Sequence, residues 1–335
     1  MRELLTTLEA WAGRGERIAI ALLVERRGSA PRDPGAVFAL SETGAIAGSV
    51  TGGCIEPALV AEAEAVLAGG VPRVLTYGIP DDAAFEIGLA CGGTVALVVT
   101  ELDPALLAPV VAAVAADRPI VLAVEVRGEH VGRQTLLEPE DVRTTRFLPA
   151  GENGLVETGG GTAFVLSFAS RPRLYVLGAI DHAVALVRVG QLLGYRVTVC
   201  DARGAFVTPE RFPAADELVV DWPDRFLRSA PIDERTAICV LTHDLKFDVP
   251  ALLAALDSPA LYIGAMGSLT TTAEREERLR AEGVTEADLA RIHAPIGLAI
   301  GARSPEEVAV AIGAQLVEAT AAVRRRLASA ATVLS

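Results

Sequence analysis

RLYVLGAIDHAVALVRVGQLLGYRVTVCD, residues 173–201, decides how the second half of this chain folds. It opens on an apolar run, Arg173 to Leu177, closed by Gly178. A helical pattern follows from about His182 to Leu193 and stops at Gly194. A second apolar run begins at Arg196 and ends on Asp201. A strand covered on both faces reads as an unbroken apolar run, because neither side of the pleat meets water. Three more such runs follow: Glu217 to Val220, Ala237 to Thr242 and Ala260 to Gly264. Helical segments separate several of them, Pro250 to Leu256 among them, and strong helices are expected over 272–282 and 304–326. Ser304-Pro305-Glu306-Glu307 is a helix start, with a cap, a Pro at the first position and acids in the first turn. Strands alternating with helices imply a parallel sheet with helices on both faces.

Within this frame the turn after the first strand has the look of a Rossmann unit. Its fingerprint is G-x-G-x-x-G/A, with an acid about 20 positions on. Gly178, Ala183 and Asp201 fit, whereas Ile180 stands where the second glycine belongs. That glycine lets a pyrophosphate approach the backbone, and a β-branched side chain obstructs it. The unit thus reads either as a nucleotide site in a different pose or as a scaffold without one. Thr242-His243-Asp244 follows the fourth strand, at the edge where open α/β sheets bind ligands. There His243 reads either as a ligand or proton-transfer group or as a loop residue. Gly267 and Ser268, after the fifth strand, form an anion-friendly nest or an ordinary cap. The irregular 293–301 segment is placed to close over the same edge. His130 and His182 have no supporting pattern and read as structural.

The first half is mixed. A helix leads into a strand at 18–24, with further strands at about 37–40, 45–48, 73–77, 93–100, 120–126 and 163–168 and a helix at 55–67. The stretch 151–161, GENGLVETGGG, is loop-rich. The fold class is α/β: an N-terminal α+β domain, residues 1–170, and a C-terminal Rossmann-like doubly wound parallel sheet, residues 171–335.

Two glycine-flanked cysteines mark the first half, Cys54 in GSVTGGCIE (48–56) and Cys91 in ACGG (90–93). Cys200 and Cys239 lie inside apolar strands and read as core. No pair is spaced C-x-x-C, so no structural zinc site is expected. Cys54 precedes a helix, where the dipole favours a thiolate. It stays open as a core residue, a redox thiol or a ligand. Glu56 lies in the first helical turn, as a cap or a polar contact. The loop GSAPRDPGA (28–36) brings Arg32 after a strand and reads as an anion-binding loop or a plain turn.

Composition narrows the function classes. A formal charge of −13 argues against nucleic-acid binding, which needs clustered Lys and Arg. The chain is 51% hydrophobic, yet no run of about 18 uncharged apolar residues appears, so no membrane span is expected. The opening MRELLTTLEAWAGRGE lacks the parts of a signal peptide, and a cytoplasmic location is expected.

Taken together, GSAPRDPGA, GSVTGGCIE, ACGG, VTVCDAR, TPERFP (208–213), THD, YIGAMGS (262–268) and APIGLAIGARSPEEVAVAI (294–312) resemble the XdhC/CoxI family, the xanthine dehydrogenase accessory factors. The resemblance runs from about residue 20 to 315. It implies a small N-terminal domain, a C-terminal Rossmann domain and a role in maturing molybdenum hydroxylases. Such proteins bind molybdenum cofactor, protect it and deliver it to the apo-enzyme after a sulfur ligand is installed. The partners implied are a cysteine desulfurase and the client hydroxylase, of the xanthine or carbon monoxide dehydrogenase type. By the same resemblance Cys54 and Cys91 are the cofactor contacts, with Cys54 as the metal ligand. Gly52, Gly53, Gly92 and Gly93 would offer amides to the pterin phosphate. Ile180 and Asp181 stand where many relatives carry a second Gly and a His, which weighs against NAD(P). The alternatives are an NAD(P)-dependent oxidoreductase and a thiol-redox protein using Cys54 and Cys91. Dimerisation is compatible with the apolar composition.

Overall fold

The structure is a computed structural model of the chain; it describes residues 1–29, 32–78, 93–141, 143–144, 147–148, 151–242 and 244–332, with side chains to residue 322. It divides into two compact units, Met1–Ser170 and Arg171–Ser335.

The first unit runs α1 (Leu5–Gly13), β1 (Ile18–Arg27), β2 (Val37–Ser41), β3 (Ile46–Gly48), α2 (Glu56–Leu67), β4 (Arg73–Tyr77), β5 (Thr94–Glu101), α3 (Pro104–Ala115), β6 (Ile120–Gly128), β7 (Gln134–Leu137), β8 (Gly154–Thr158) and β9 (Gly161–Phe168). Its five-stranded sheet has the order β3-β2-β1-β5-β4, and its four-stranded sheet the order β7-β6-β9-β8. All ladders in both sheets are antiparallel. β1 is apolar over most of its length because both of its faces are buried. Ile18, Ile20, Leu22 and Val24 pack with α1, α3 and the four-stranded sheet through Leu8, Val110, Val124 and Phe164. Ala19, Ala21 and Leu23 face the other way, onto Ile55, Leu59 and Ala63 of α2 and its lead-in. Each fully buried Leu, Ile or Val in these layers contributes about 1.5–3 kcal/mol.

The second unit runs β10 (Arg173–Leu177), α4 (Asp181–Leu192), β11 (Arg196–Cys200), β12 (Glu217–Val219), α5 (Pro223–Ser229), β13 (Ala237–Val240), α6 (Leu245–Leu256), β14 (Tyr262–Ala265), α7 (Leu269–Ala281), α8 (Glu286–Leu289), β15 (Ile292–His293) and α9 (Pro305–Thr332). The sheet is wholly parallel, in the order β12-β11-β10-β13-β14-β15. Leu174 and Val176 of β10 face α4 and α9. Tyr175 and Leu177 face α5, α6 and α7. The order turns at β10/β13, so the doubly wound α/β reading of this half holds.

Three local readings change. The 151–161 stretch is not all loop: Gly154–Thr158 is the edge strand β8, hairpinned onto β9. The irregular 293–301 segment begins with a short sixth strand, β15, beside β14. The helix expected from Pro250 starts at Leu245, because the Asp244 side chain caps it by accepting from the Lys246 amide at 3.1 Å.

Candidate functional site

Register brings the N-terminal motifs to one end of one sheet. Arg27, the last residue of β1, pairs with Thr94, the first of β5. Val37, the first of β2, pairs with Leu22 of β1, and Gly48, the last of β3, pairs with Phe38. The GSAPRDPGA loop, the GSVTGGCIE loop and the approach to Gly93 therefore leave the same edge. At Gly93 the chains touch: a Cβ there would lie 2.3 Å from the Ser29 carbonyl oxygen, so only glycine fits. Cys91 and Gly92 lie outside the described residues. Arg32 is exposed and pairs with Glu3 at 3.3 Å.

The GSVTGGCIE loop is organised around one carboxylate. Glu56 Oε1 accepts from the Ser49 hydroxyl at 2.6 Å, the Val50 amide at 3.0 Å and the Thr51 amide at 2.9 Å. Its Oε2 accepts from the Thr51 hydroxyl at 2.8 Å, the Gly53 amide at 2.9 Å and the Ile55 amide at 3.2 Å. The Gly52 amide donates to Ser49 Oγ at 2.7 Å. Burial alone would raise the Glu56 carboxyl, but the hydrogen bonds from Ser49, Thr51 and the loop outweigh it and hold it at about 2. Val50 and Ile55 are buried and anchor the loop in the core, while Gly52, Gly53 and Cys54 stand exposed. A Cβ on Gly52 or Gly53 would meet nothing within 4 Å, and both have positive φ, +81° and +120°. The amides of 50–53 and 55 are spent inside the loop, so they do not face a phosphate as the resemblance implied. What the loop presents is bare backbone and a thiol. Among the described residues no three His, Cys, Asp or Glu side chains cluster to hold a metal, so Cys54 stands as a single thiol.

The second unit gathers its candidates at the carboxyl edge of the parallel sheet. Gly178 turns the chain after β10 with φ +110°, and a Cβ there would press 3.0 Å from Thr242 Cγ2, across the switch point. Asp201 is 3% exposed and fully engaged. Its Oδ1 accepts from the Arg203 amide and Nε, both at 2.9 Å. Its Oδ2 accepts from the Ala179 amide and Arg203 Nη2, both at 2.8 Å. All four acceptor positions of the carboxylate are thus taken, which leaves none for a ribose hydroxyl. Burial pushes this carboxyl up and the Arg203 and backbone bonds pull it further down, so it stays ionised. Arg211, which the sequence did not single out, braces the turn by donating to the Ala179 carbonyl at 2.9 Å. Ile180 is the N-cap of α4, in extended conformation.

His243 lies outside the described residues. Its neighbour Thr242 donates its hydroxyl to Asp248, a fully buried acid on α6. Asp248 in turn pairs with Arg275 of α7 at 2.8 Å. No spacing rule links positions 242, 248 and 275, so sequence reading missed the network. Ser268 caps α7, its Oγ accepting from the Thr271 amide at 3.1 Å, beside Gly267. Cys200 and Cys239 are buried, and burial pushes the Cys200 thiol up to about 12.

An antiparallel α+β unit with a glycine–cysteine loop, followed by a doubly wound parallel sheet, defines a two-part Rossmann-containing class of protein. The profile of the XdhC and CoxI family matches residues 11–78, and that of the XdhC Rossmann domain matches residues 174–316. The chain belongs to the XdhC/CoxI family. It is 29% identical over 303 residues to the molybdenum cofactor insertion chaperone PaoD of Escherichia coli (strain K12), covering 90% of this chain and 83% of that one. It is 25% identical to a probable xanthine dehydrogenase component from Bacillus subtilis (strain 168), covering 96% of this chain and 98% of that one. Its fold matches the crystal structure of a xanthine dehydrogenase from Bacillus halodurans with a TM-score of 0.73, at 26% identity and 96% coverage of each chain. No described helix is long and apolar enough to cross a membrane.

Proposed function

We propose that the protein is an accessory factor that carries molybdenum cofactor and assists its sulfuration and insertion into a molybdenum hydroxylase. The observation that carries this reading is the exposed Cys54 on a glycine loop that Glu56 holds rigid. A thiolate is a soft ligand suited to a metal or to handling sulfur. A metal that arrives chelated by its own organic ligand needs no protein cage, so a single thiol suffices. Gly52 and Gly53 leave room beside it for a bulky ring system. In this reading Cys91 and Gly92 are further cofactor contacts, Gly93 stands just before β5, and Arg32 supplies charge from the third loop. Gly178 and Asp201 hold the edge of the Rossmann unit in shape, and His243 is a further cofactor-binding candidate of this reading. The protein acts as a carrier rather than a turnover enzyme, with a cysteine desulfurase and the apo-hydroxylase as partners.

The test is co-purification from a molybdenum-replete host, with molybdenum and pterin quantified. Wild type is expected to carry both near unit stoichiometry. Cys54→Ala keeps its melting temperature, because the residue is exposed, and loses at least about tenfold in bound molybdenum, the scale of one lost metal-site contact. Normal loading of both Cys54→Ala and Cys91→Ala would remove the site from this loop.

A further inference from the structure

α9 buries one face and leaves another bare. Ala309, Ile312 and Leu316 pack in the core of the second unit. At Gly313 the helix comes so close to α4 that a Cβ would lie 2.5 Å from Val189 Cγ1. Beside this inner face runs a second row. Val310 is 56% exposed and Val317 53%. Glu307 is exposed, and Ala314 and Ala321 are half-buried. An open groove of about 340 Å³ lies at the start of the row, lined by Ile300, Gly301, Ala302, Glu306, Glu307 and Val310. Single exposed apolar residues are ordinary, but an apolar row with a groove at its end has the character of a contact surface.

The row is ordered in two ways. Glu307, Val310, Ala314, Val317 and Ala321 follow in alternate steps of three and four, and the sequence continues the row with Arg324. α9 runs from Pro305 to Thr332, so position 324 is still on the helix. Alternate steps of three and four make the seam of a helix pair. The row also has a mirror order about a point between Gln315 and Leu316. Ala314 answers to Val317, Val310 to Ala321 and Glu307 to Arg324. Turned about a two-fold axis through that point, the row meets itself, as an isologous contact requires. Every valine then faces an alanine, and the acidic end faces the basic end. Large against small lets helix axes approach to the short end of about 8–10 Å. A parallel pairing would set valine on valine and Glu307 on Glu307. Glu307 Oε2 accepts from the Arg303 amide at 2.7 Å and the Ser304 amide at 3.1 Å, which fixes this carboxylate at the start of the row.

We propose that this face of α9 is a homodimer interface, along which a second copy of the chain lays its own α9 antiparallel. Val317 meets Ala314 of the partner subunit, Val310 meets Ala321 of the partner subunit, and position 324 of the partner arrives at Glu307. The groove beside Val310 receives the end of the partner's helix. The row from 307 to 324 is about 25 Å long, with an apolar centre and charge at both rims, the usual anatomy of an interface. The interface lies in the second unit and does not depend on the carrier reading.

The full chain is followed by sedimentation velocity over a range of concentrations, and a dimer is expected at about 100 µM. Val317→Lys brings two ammonium groups together at the axis. The residue is exposed in a single chain, so dilute protein keeps its melting temperature while the dimer dissociation constant rises at least about thirtyfold, the loss of one interface hot spot. Arg324→Glu sets acid against acid at both rims, and the constant rises at least about fivefold. Register is read by mild oxidation of Val310→Cys/Ala321→Cys, which is expected to give a disulfide-linked dimer. The two positions are about 16 Å apart on one helix and cannot bridge within a chain. Val310→Cys or Ala321→Cys alone is expected to crosslink no more than wild type. Self-crosslinking of Val310→Cys alone would mean parallel pairing and overturns the proposal. A chain that is monomeric at about 100 µM, or a dimer indifferent to both Val317→Lys and Arg324→Glu, overturns it too and leaves the row to a different protein. Sedimentation and crosslinking are read without cofactor, so a failure here leaves the carrier reading standing, and unloaded protein leaves the interface standing.

Discussion

At the scale of single residues the decisive one is Glu56. Its two oxygens gather six donors, so its role is to shape the loop on which Cys54 stands. Glu56→Gln keeps the size but turns one oxygen into a donor, which then faces donors it cannot satisfy. The expected loss is about 2–3 kcal/mol of stability at neutral pH, the cost of orphaning charge-assisted bonds. Alkylation of Cys54 rises at the same time as the loop loosens. The pH dependence follows from a folded-state carboxyl depressed to about 2. Its contribution is present in full above the ordinary carboxylate range and is lost as pH falls toward about 2. Wild type and Glu56→Gln are thus well separated in urea midpoint at about pH 7 and converge between about pH 4 and about pH 2. A constant gap across that range would show that ionisation is irrelevant. The cysteine and glycines of this loop were legible in the sequence because their types are rare and their spacing is local. The spending of the amides on Glu56 was not, since it depends on which way each peptide points.

At the scale of elements, a single side chain of α9 ties two others together. Gln315 Oε1 accepts from the Tyr262 hydroxyl of β14 at 2.6 Å and from the Gly297 amide at 2.8 Å. Tyr262 is fully buried, and His293 of β15 stacks on its ring at 4.7 Å. Gln315→Leu preserves the volume and orphans both donors, so a loss of about 2–4 kcal/mol is expected. It should appear as a lower urea midpoint with an unchanged slope. A variant as stable as wild type would mean that solvent replaces both bonds. The same elements show which parts of a fold a sequence reveals. β10, β11 and β13 were readable as unbroken apolar runs because the parallel sheet is covered on both faces. β8 was hidden in GENGLVETGGG because an edge strand with little burial needs no apolar pattern; pairing with β9 alone defines it. β15 was hidden for the same reason, being two residues long.

At the scale of the whole molecule, much of the apolar composition goes into the cores around the three sheets of the described residues. In the second unit the parallel sheet is buried between two helical layers, both drawn from within the unit. Ala183, Leu186, Val187, Ile312 and Leu316 cover one face, and Leu227, Ala251, Leu252 and Leu279 cover the other. A unit spanning residues 171–335 is of the size that buries about 70% of its unfolded surface, enough for a domain to stand alone. The long-range contacts within it include a buried ion pair, Asp248–Arg275, whose partners are 27 positions apart. Such a pair tolerates little slippage of α6 against α7, because separating it leaves uncompensated charge in the interior. Residues 171–335 produced alone are therefore expected to unfold in one cooperative urea transition, with mixed α/β circular dichroism and an unchanged response to Gln315→Leu. In the same fragment Asp248→Asn strands the Arg275 charge and costs about 3 kcal/mol of stability, read as a lower midpoint. A fragment that melts without cooperativity, or that is indifferent to Asp248→Asn, would show that the parallel sheet does not carry its own core.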